Sequence, residues 1–232
     1  TIFIVALFQH FETRKDNQNF TQFADSTSGI IRETLLNISY DLNVLGKFIQ
    51  NNEYVTLGEF NSFTSTMRYS SFSVAGWFPL IKRDERAVFE ANLSVMGYGD
   101  PGIYAVNSNN ERLRAPAADF YYPLLHINPV YPGKKIPGFD LLSDERWRSS
   151  AENSLKTVMP HFVKADILKL DNSEKKLITI ILPVKTKTGR HAAGFVASSV
   201  DVELALAFAM SSGKNGLTGV RMSIIDISSN NY

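Results

Sequence analysis

The sequence predicts an α+β architecture in which a long amino-terminal helix leads into an antiparallel sheet. Two observations carry that prediction. Ile31, Leu35, Ile38, Leu42, Leu45 and Ile49 recur at spacings of 4, 3, 4, 3 and 4, a heptad seam, and no proline interrupts the chain before Pro79. From Ile103 onward the apolar runs shorten and are bounded by clusters such as Asn107-Ser108-Asn109-Asn110, which is the pattern of strands and turns. No internal repeat or low-complexity segment competes with this reading.

The helix is expected from about residue 10 to residue 52, and Gly46 costs it about 1 kcal/mol of propensity relative to alanine. Its seam can pair with a second copy or lie against its own domain. Globular packing uses a wider stripe than two positions in seven, so the helix is expected to do some of each. Residues 56–76, rich in Ser, Thr and Phe, read as a shorter helix leading into Trp77. Arg83–Leu93 reads as the next helix, and Gly97, Gly99, Pro101 and Gly102 mark a loop. Ile103–Val106 and Tyr121–Ile127 are strand candidates, with Pro123 placing the second at an edge or strand start. Ser143 is a suitable N-cap for a helix with Asp144 and Glu145 in its first turn. Lys176–Val184 and Ala193–Val200 read as adjacent strands, Val202–Met210 as a helix and Gly219–Ile227 as a last strand, whose sheet partners are expected beyond Tyr232.

Several function classes are excluded by composition. With 44% hydrophobic and 20% charged residues and a net charge of +1, the chain lacks the basic face that nucleic acid demands. The absence of cysteine excludes disulfides and thiolate metal sites. His10, His126, His161 and His191 fall in no metal-binding spacing, and neither a GxSxG elbow nor a Walker-type phosphate loop occurs. Gly213-Lys214-Asn215-Gly216 reads as a turn, and the spacing of Asp100, Asp119 and Asp140 marks no acid/base pair. No catalytic residue, metal or cofactor is therefore expected. The apolar run Thr1–Phe8 is much shorter than the ~20 residues that cross a bilayer, and reads as the outer end of a transmembrane helix, with an amino-terminal strand or a buried helix start as the alternative.

The most specific signal begins at Trp77-Phe78-Pro79 and continues through Glu85-Arg86 to Phe89-Glu90. Together with Tyr121-Tyr122-Pro123, Ile127-x-Pro129 and Gly138-Phe139-Asp140-Leu141, it resembles the CHASE family, extracytoplasmic sensory domains of membrane-bound histidine kinases, nucleotide cyclases and diguanylate cyclases. The resemblance is good over about residues 77–205. It implies a transmembrane end at 1–9, a stalk and dimerisation helix at 10–55, a membrane-distal PAS-like sensor module at 56–205, and the start of a membrane-proximal PAS-like module at 206–232. It also implies a small-molecule receptor, periplasmic, anchored in the inner membrane and homodimeric through the stalk. The ligand is expected to be adenine-like or a small organic acid, and the output domain a kinase or diguanylate cyclase.

Asp140 is the chief site residue the resemblance implies. In the plant cytokinin receptors the matching aspartate hydrogen-bonds an adenine edge, and a charged hydrogen bond of that kind contributes roughly 1.5–3 kcal/mol. A second reading stays open, in which Asp140 satisfies backbone amides of its own loop. Tyr121, Tyr122, Leu124 and Met159 are carried over as pocket residues, with one of the two tyrosines facing inward. Ile181, Ala197 and Ser198 take the places of a ligand-facing threonine and two glycines, so they add bulk there. That bulk favours an alternative function, a dimerisation or protein-interaction module whose core is filled by its own side chains. Gly133 replaces an asparagine found in many bacterial members. Trp77, Pro79, Arg86, Phe89 and Glu90 read as structural, the Arg86–Glu90 pair contributing a few tenths of a kcal/mol if exposed.

Overall fold

In the computed structural model, residues 2–7, 14–67, 73–98, 102–107, 109, 111–129, 136–170, 173–188, 192–201, 203–205, 207 and 221–226 are described. They divide into two units, Thr1–Asn37 with Glu203–Tyr232, and Ile38–Val202.

In the first unit, β1 (Ile2–Leu7) pairs antiparallel with β11 (Arg221–Asp226), Ile2 opposite Asp226 and Leu7 opposite Arg221. Two expectations change here. The apolar run at the amino terminus is a strand where a helical end was expected, because its β-branched residues find a ladder partner. The last strand finds its partner within the chain and not beyond Tyr232. Residues 203–205 are helical, and the remainder of the helix expected at 202–210 lies largely outside the described residues.

Helix α1 (Arg14–Asn51) confirms the proline-free helical prediction. The seam is its buried stripe: Ile31, Ile38, Leu42, Leu45 and Ile49 are all buried. Thr27 and Thr34 widen the stripe, and Thr34 returns its hydroxyl to the Ile30 carbonyl at 2.8 Å.

The second unit is organised by an antiparallel sheet of five strands in the order β7-β2-β10-β9-β8. These are β2 (Ser73–Pro79), β7 (His126–Asn128), β8 (His161–Leu170), β9 (Ser173–Lys185) and β10 (Ala192–Asp201). The predicted pairing of the 176–184 and 193–200 segments holds, with Ala197 opposite Ile181 and Val196 opposite Leu182. The two predicted strand segments before them are shorter than expected. Tyr121–Ile127 splits into β6 (Phe120–Tyr121) and β7, since Pro123 donates no ladder hydrogen bond. The β4 strand (Tyr104–Val106) pairs with β5 (Arg112–Arg114), and β3 (Ile81–Lys82) with β6.

Strand pleat gives the sheet two faces. On one, Phe78, Val163, Ile181, Phe195 and Ala197 form a single apolar cluster with Tyr122, Leu124 and Leu141, closed by Ala151 of α4 (Glu145–Thr157). The other receives the end of α1. A Cβ on Gly46 would lie 3.6 Å from Val184, 3.8 Å from Leu182 and 3.9 Å from Val196, so the helix lies directly on the sheet there.

Helix α2 (Leu57–Ser65) starts at a capping box, in which Thr56 Oγ1 accepts from the Glu59 amide and Glu59 accepts from the Thr56 amide. Helix α3 (Arg86–Val95) matches the predicted Arg83–Leu93 helix within a turn. The predicted Ser143 cap is displaced by one residue. Asp144 caps α4, and residues Leu141–Ser143 form a 3-10 turn capped by Asp140.

Candidate functional site

The motif segment Gly138–Asp140 is threaded between two other pieces of chain. Tyr104 N donates to Gly138 O and Asp140 N to Tyr104 O, each at 2.9 Å, while Leu124 N donates to Phe139 O and Gly138 N to Leu124 O, each at 2.8 Å. Gly138 has φ +96°, and a Cβ there would collide with the Gly102 carbonyl, so the backbone itself requires this glycine. Asp140 is 7% exposed. Its Oδ1 accepts from the Tyr122 amide at 2.9 Å and the Leu142 amide at 3.4 Å. Burial pushes the carboxyl above the ordinary aspartate range, opposed by those amides and by the charges of Arg148 and Arg86. Asp140 thus accepts from amides of its own and the neighbouring segment through Oδ1.

The expected pocket residues separate into groups. Tyr122, Leu124, Ile181 and Ala197 share the cluster beside Asp140, where the Tyr122 ring stands edge-on to Phe195 with centroids 4.9 Å apart. Tyr121 belongs to a second cluster with Phe89, Leu93 and Ile103. Its hydroxyl accepts from Arg86 at 2.9 Å and from the Ala118 amide at 2.7 Å. Ser198 follows Ala197 on the same strand, so the pleat turns it to the opposite face of the sheet. Met159 lies after α4 and is 60% exposed. Adjacency in sequence had joined residues that the pleat separates.

Arg86 and Glu90 are more than a surface pair. Glu90 Oε1 accepts from Arg86 Nε at 2.8 Å and from the Ile103 amide at 3.2 Å, while Oε2 accepts from Arg114 at 2.8 Å. Arg86 also donates to the Ala115 carbonyl at 3.0 Å. With side chains only 14% and 16% exposed, the pair fastens residues 102–121 onto α3.

A concavity of about 520 Å³ lies on the α1 face of the sheet. The end of α1 and the following loop contribute Ile49, Gln50, Glu53, Tyr54 and Val55. Trp77 and Pro79 come from β2, Leu125 precedes β7, and Lys185, Thr186, Lys187 and Ala193 come from the β9–β10 turn and its flanks. Gln50 Nε2 donates to Thr186 O at 3.0 Å and ties helix to hairpin. None of these residues was expected at a binding site. Trp77 reads from the sequence as structural, and no spacing rule links segments this far apart in sequence.

Close to this concavity His126, 1% exposed, packs against Phe60 and bonds through Nε2 to the Val55 carbonyl at 2.8 Å. Its Nδ1 is buried with no hydrogen-bond partner among the described residues. Among the described residues no group of His, Cys, Asp and Glu could hold a metal ion, and no helix is long and apolar enough to cross a membrane.

The CHASE domain family model matches residues 53–232. The chain belongs to the CHASE domain family. This CHASE domain is an extracytoplasmic sensory domain of a signalling receptor. No curated protein matches it. Among solved structures it is similar to the periplasmic sensory domain of the Campylobacter jejuni chemoreceptor Tlp1, at 10% identity and a TM-score of 0.45, over 84% of this chain and 62% of that one. It is also similar to the ligand-binding domain of the Pseudomonas aeruginosa PAO1 amino acid chemoreceptor PctC in complex with GABA, at 11% identity and TM-score 0.44, over 85% and 66%. A third is the ligand-binding domain of C. jejuni Tlp3 in complex with L-valine, at 12% identity and TM-score 0.41, over 83% and 62%. The CHASE domain therefore spans less than two thirds of the length of these neighbours.

Proposed function

We propose that this CHASE domain senses a small molecule and passes the signal through α1 to a cytoplasmic histidine kinase or diguanylate cyclase, as a homodimer in the inner membrane. The direct seating of α1 on the sheet at Gly46 carries this reading. A ligand that favours one sheet arrangement over another then biases the helix position by its differential affinity for the two. Leu36, Tyr40 and Val44, exposed at successive i+4 positions on α1, offer a face to the second copy, since the heptad seam is already buried.

The second reading, an interaction module with a filled core, is favoured by the cluster beside Asp140. Phe78, Tyr122 and Phe195 pack there, and Trp147 approaches Phe78 with centroids 5.8 Å apart. A thermal-shift screen of purines, amino acids and carboxylic acids separates the two. A ligand at about 100 times its Kd adds ~2.7 kcal/mol of stability, which the sensor predicts for some compound and the filled module for none. Sedimentation of Tyr40→Glu checks the dimer face: a monomer is expected, and an unchanged mass removes that face from the reading.

A further inference from the structure

We propose that the concavity between the end of α1, β2 and the β9–β10 hairpin is a binding site for small aromatic carboxylates. This rests on the sensor reading and moves the ligand to the face of the sheet opposite Asp140.

The chemistry of the walls selects the class. At about 520 Å³ the space is within the range of small-molecule sites. Its floor is flat and apolar: Trp77 is 7% exposed, with Pro79, Leu125 and Ala193 beside it. Tyr54, 71% exposed, supplies a second ring that gains contact when a planar molecule enters. Across from the helix end stand Lys185 and Lys187, both exposed. Glu53, the remaining charged lining residue, makes no ion pair with either lysine among the described residues. The lining therefore presents a net positive rim over an aromatic floor. The side-chain amide of Gln50 adds to the polar edge, although it already donates to Thr186 O.

The same geometry says how occupancy is read. One wall is the last turn of α1 and another is the hairpin, joined by the side-chain bond from Gln50 to Thr186. A ring held by Trp77 and Tyr54 with its carboxylate at the lysines touches both walls at once. It therefore stabilises one separation of helix and hairpin over others, which is the differential affinity that signalling needs.

Calorimetric titration with benzoate and nicotinate, each against its neutral carboxamide, tests the site. Both acids are expected to bind, the amides at least about tenfold more weakly, and the Lys185→Gln/Lys187→Gln double variant to lose about tenfold in affinity for the acids. Tyr54→Ala weakens acids and amides alike, and Asp140→Asn changes neither. All these positions except Asp140 are exposed, so the variants are expected to fold, with unchanged melting temperature as the control. No heat with either acid at millimolar concentration, or binding unchanged in the double-glutamine variant, overturns the site. Acid binding that Asp140→Asn abolishes also overturns it while leaving the sensor reading intact. A sensor with no ligand in the broader thermal-shift screen fails separately.

Discussion

The two faces of the five-stranded sheet use their polar groups differently. Around Asp140 the polar atoms serve the chain itself: Oδ1 holds two backbone amides, and Tyr121, Arg86 and Glu90 close a network over residues 102–121. At the end of α1, Lys185 and Lys187 stand exposed over an aromatic floor with no ion pair among the described residues. Residues that thread one loop through another are as constrained as residues that bind.

The largest test of that contrast is Arg86→Ala. It leaves Glu90 partly buried with one cation fewer and removes a donor from the Ala115 carbonyl, while the Ile103 carbonyl keeps the Ala115 amide, so about 3 kcal/mol of stability is expected to be lost. The urea midpoint should fall at unchanged slope. A loss below about 1 kcal/mol would return the pair to the status of a surface contact.

Asp140 divides the two readings of the motif more finely. Asp140→Ala strands the Tyr122 and Leu142 amides and is expected to cost about 2 kcal/mol, whereas Asp140→Asn keeps an acceptor and costs little. The sign of its pH dependence follows from burial. A carboxyl raised above 3.8 contributes most below that pH, and this contribution falls as pH rises through the folded value. Asp140→Asn should therefore flatten stability against pH above 3.8, as chemical denaturation across that range would show.

His126 behaves oppositely. Burial lowers its pKa below 6.5, with the Val55 carbonyl opposing. Stability is full above pH 6.5 and falls as the pH drops from there towards the folded value, because only the unfolded chain takes up the proton. Denaturation midpoints between pH 7 and pH 5 should show this decline, and His126→Gln should remove it; an identical slope in the variant would assign the decline to other groups.

The smallest effects belong to the α1 face. Gly46→Ala meets ordinary van der Waals contacts from 3.6 Å outward, so the gain in helix propensity is expected to stabilise by up to about 1 kcal/mol. A loss in the melting temperature would mean that the helix and sheet are closer than the contact distances allow.

Much of the architecture was legible because periodicity reports burial. The 3.5-residue seam marked α1, and apolar runs bounded by turn residues marked β9 and β10. The β2 strand was hidden by Gly76 and Pro79, residues that ordinarily argue against a strand interior. Gly76 is there because Leu124 and Phe78 leave a Cβ only 3.1 and 3.2 Å of room, a contact between distant segments. The β8 strand carries no clean alternation, so its pairing with β9 is visible only in the sheet.

The motif residues were likewise legible as a set, but not the division among them. Tyr121 and Tyr122 sit on neighbouring positions and enter different clusters, and Ala197 and Ser198 part to opposite faces. By itself the sequence determined the α+β class, the family, the long helix and the central strand pair, because local spacing and specific residue combinations encode them. Only the tertiary structure decided that Asp140 accepts the Tyr122 amide and that Gln50, Trp77 and Lys185 line one concavity. Those relations join segments far apart along the chain, where no local pattern carries the information and only packing brings the side chains together.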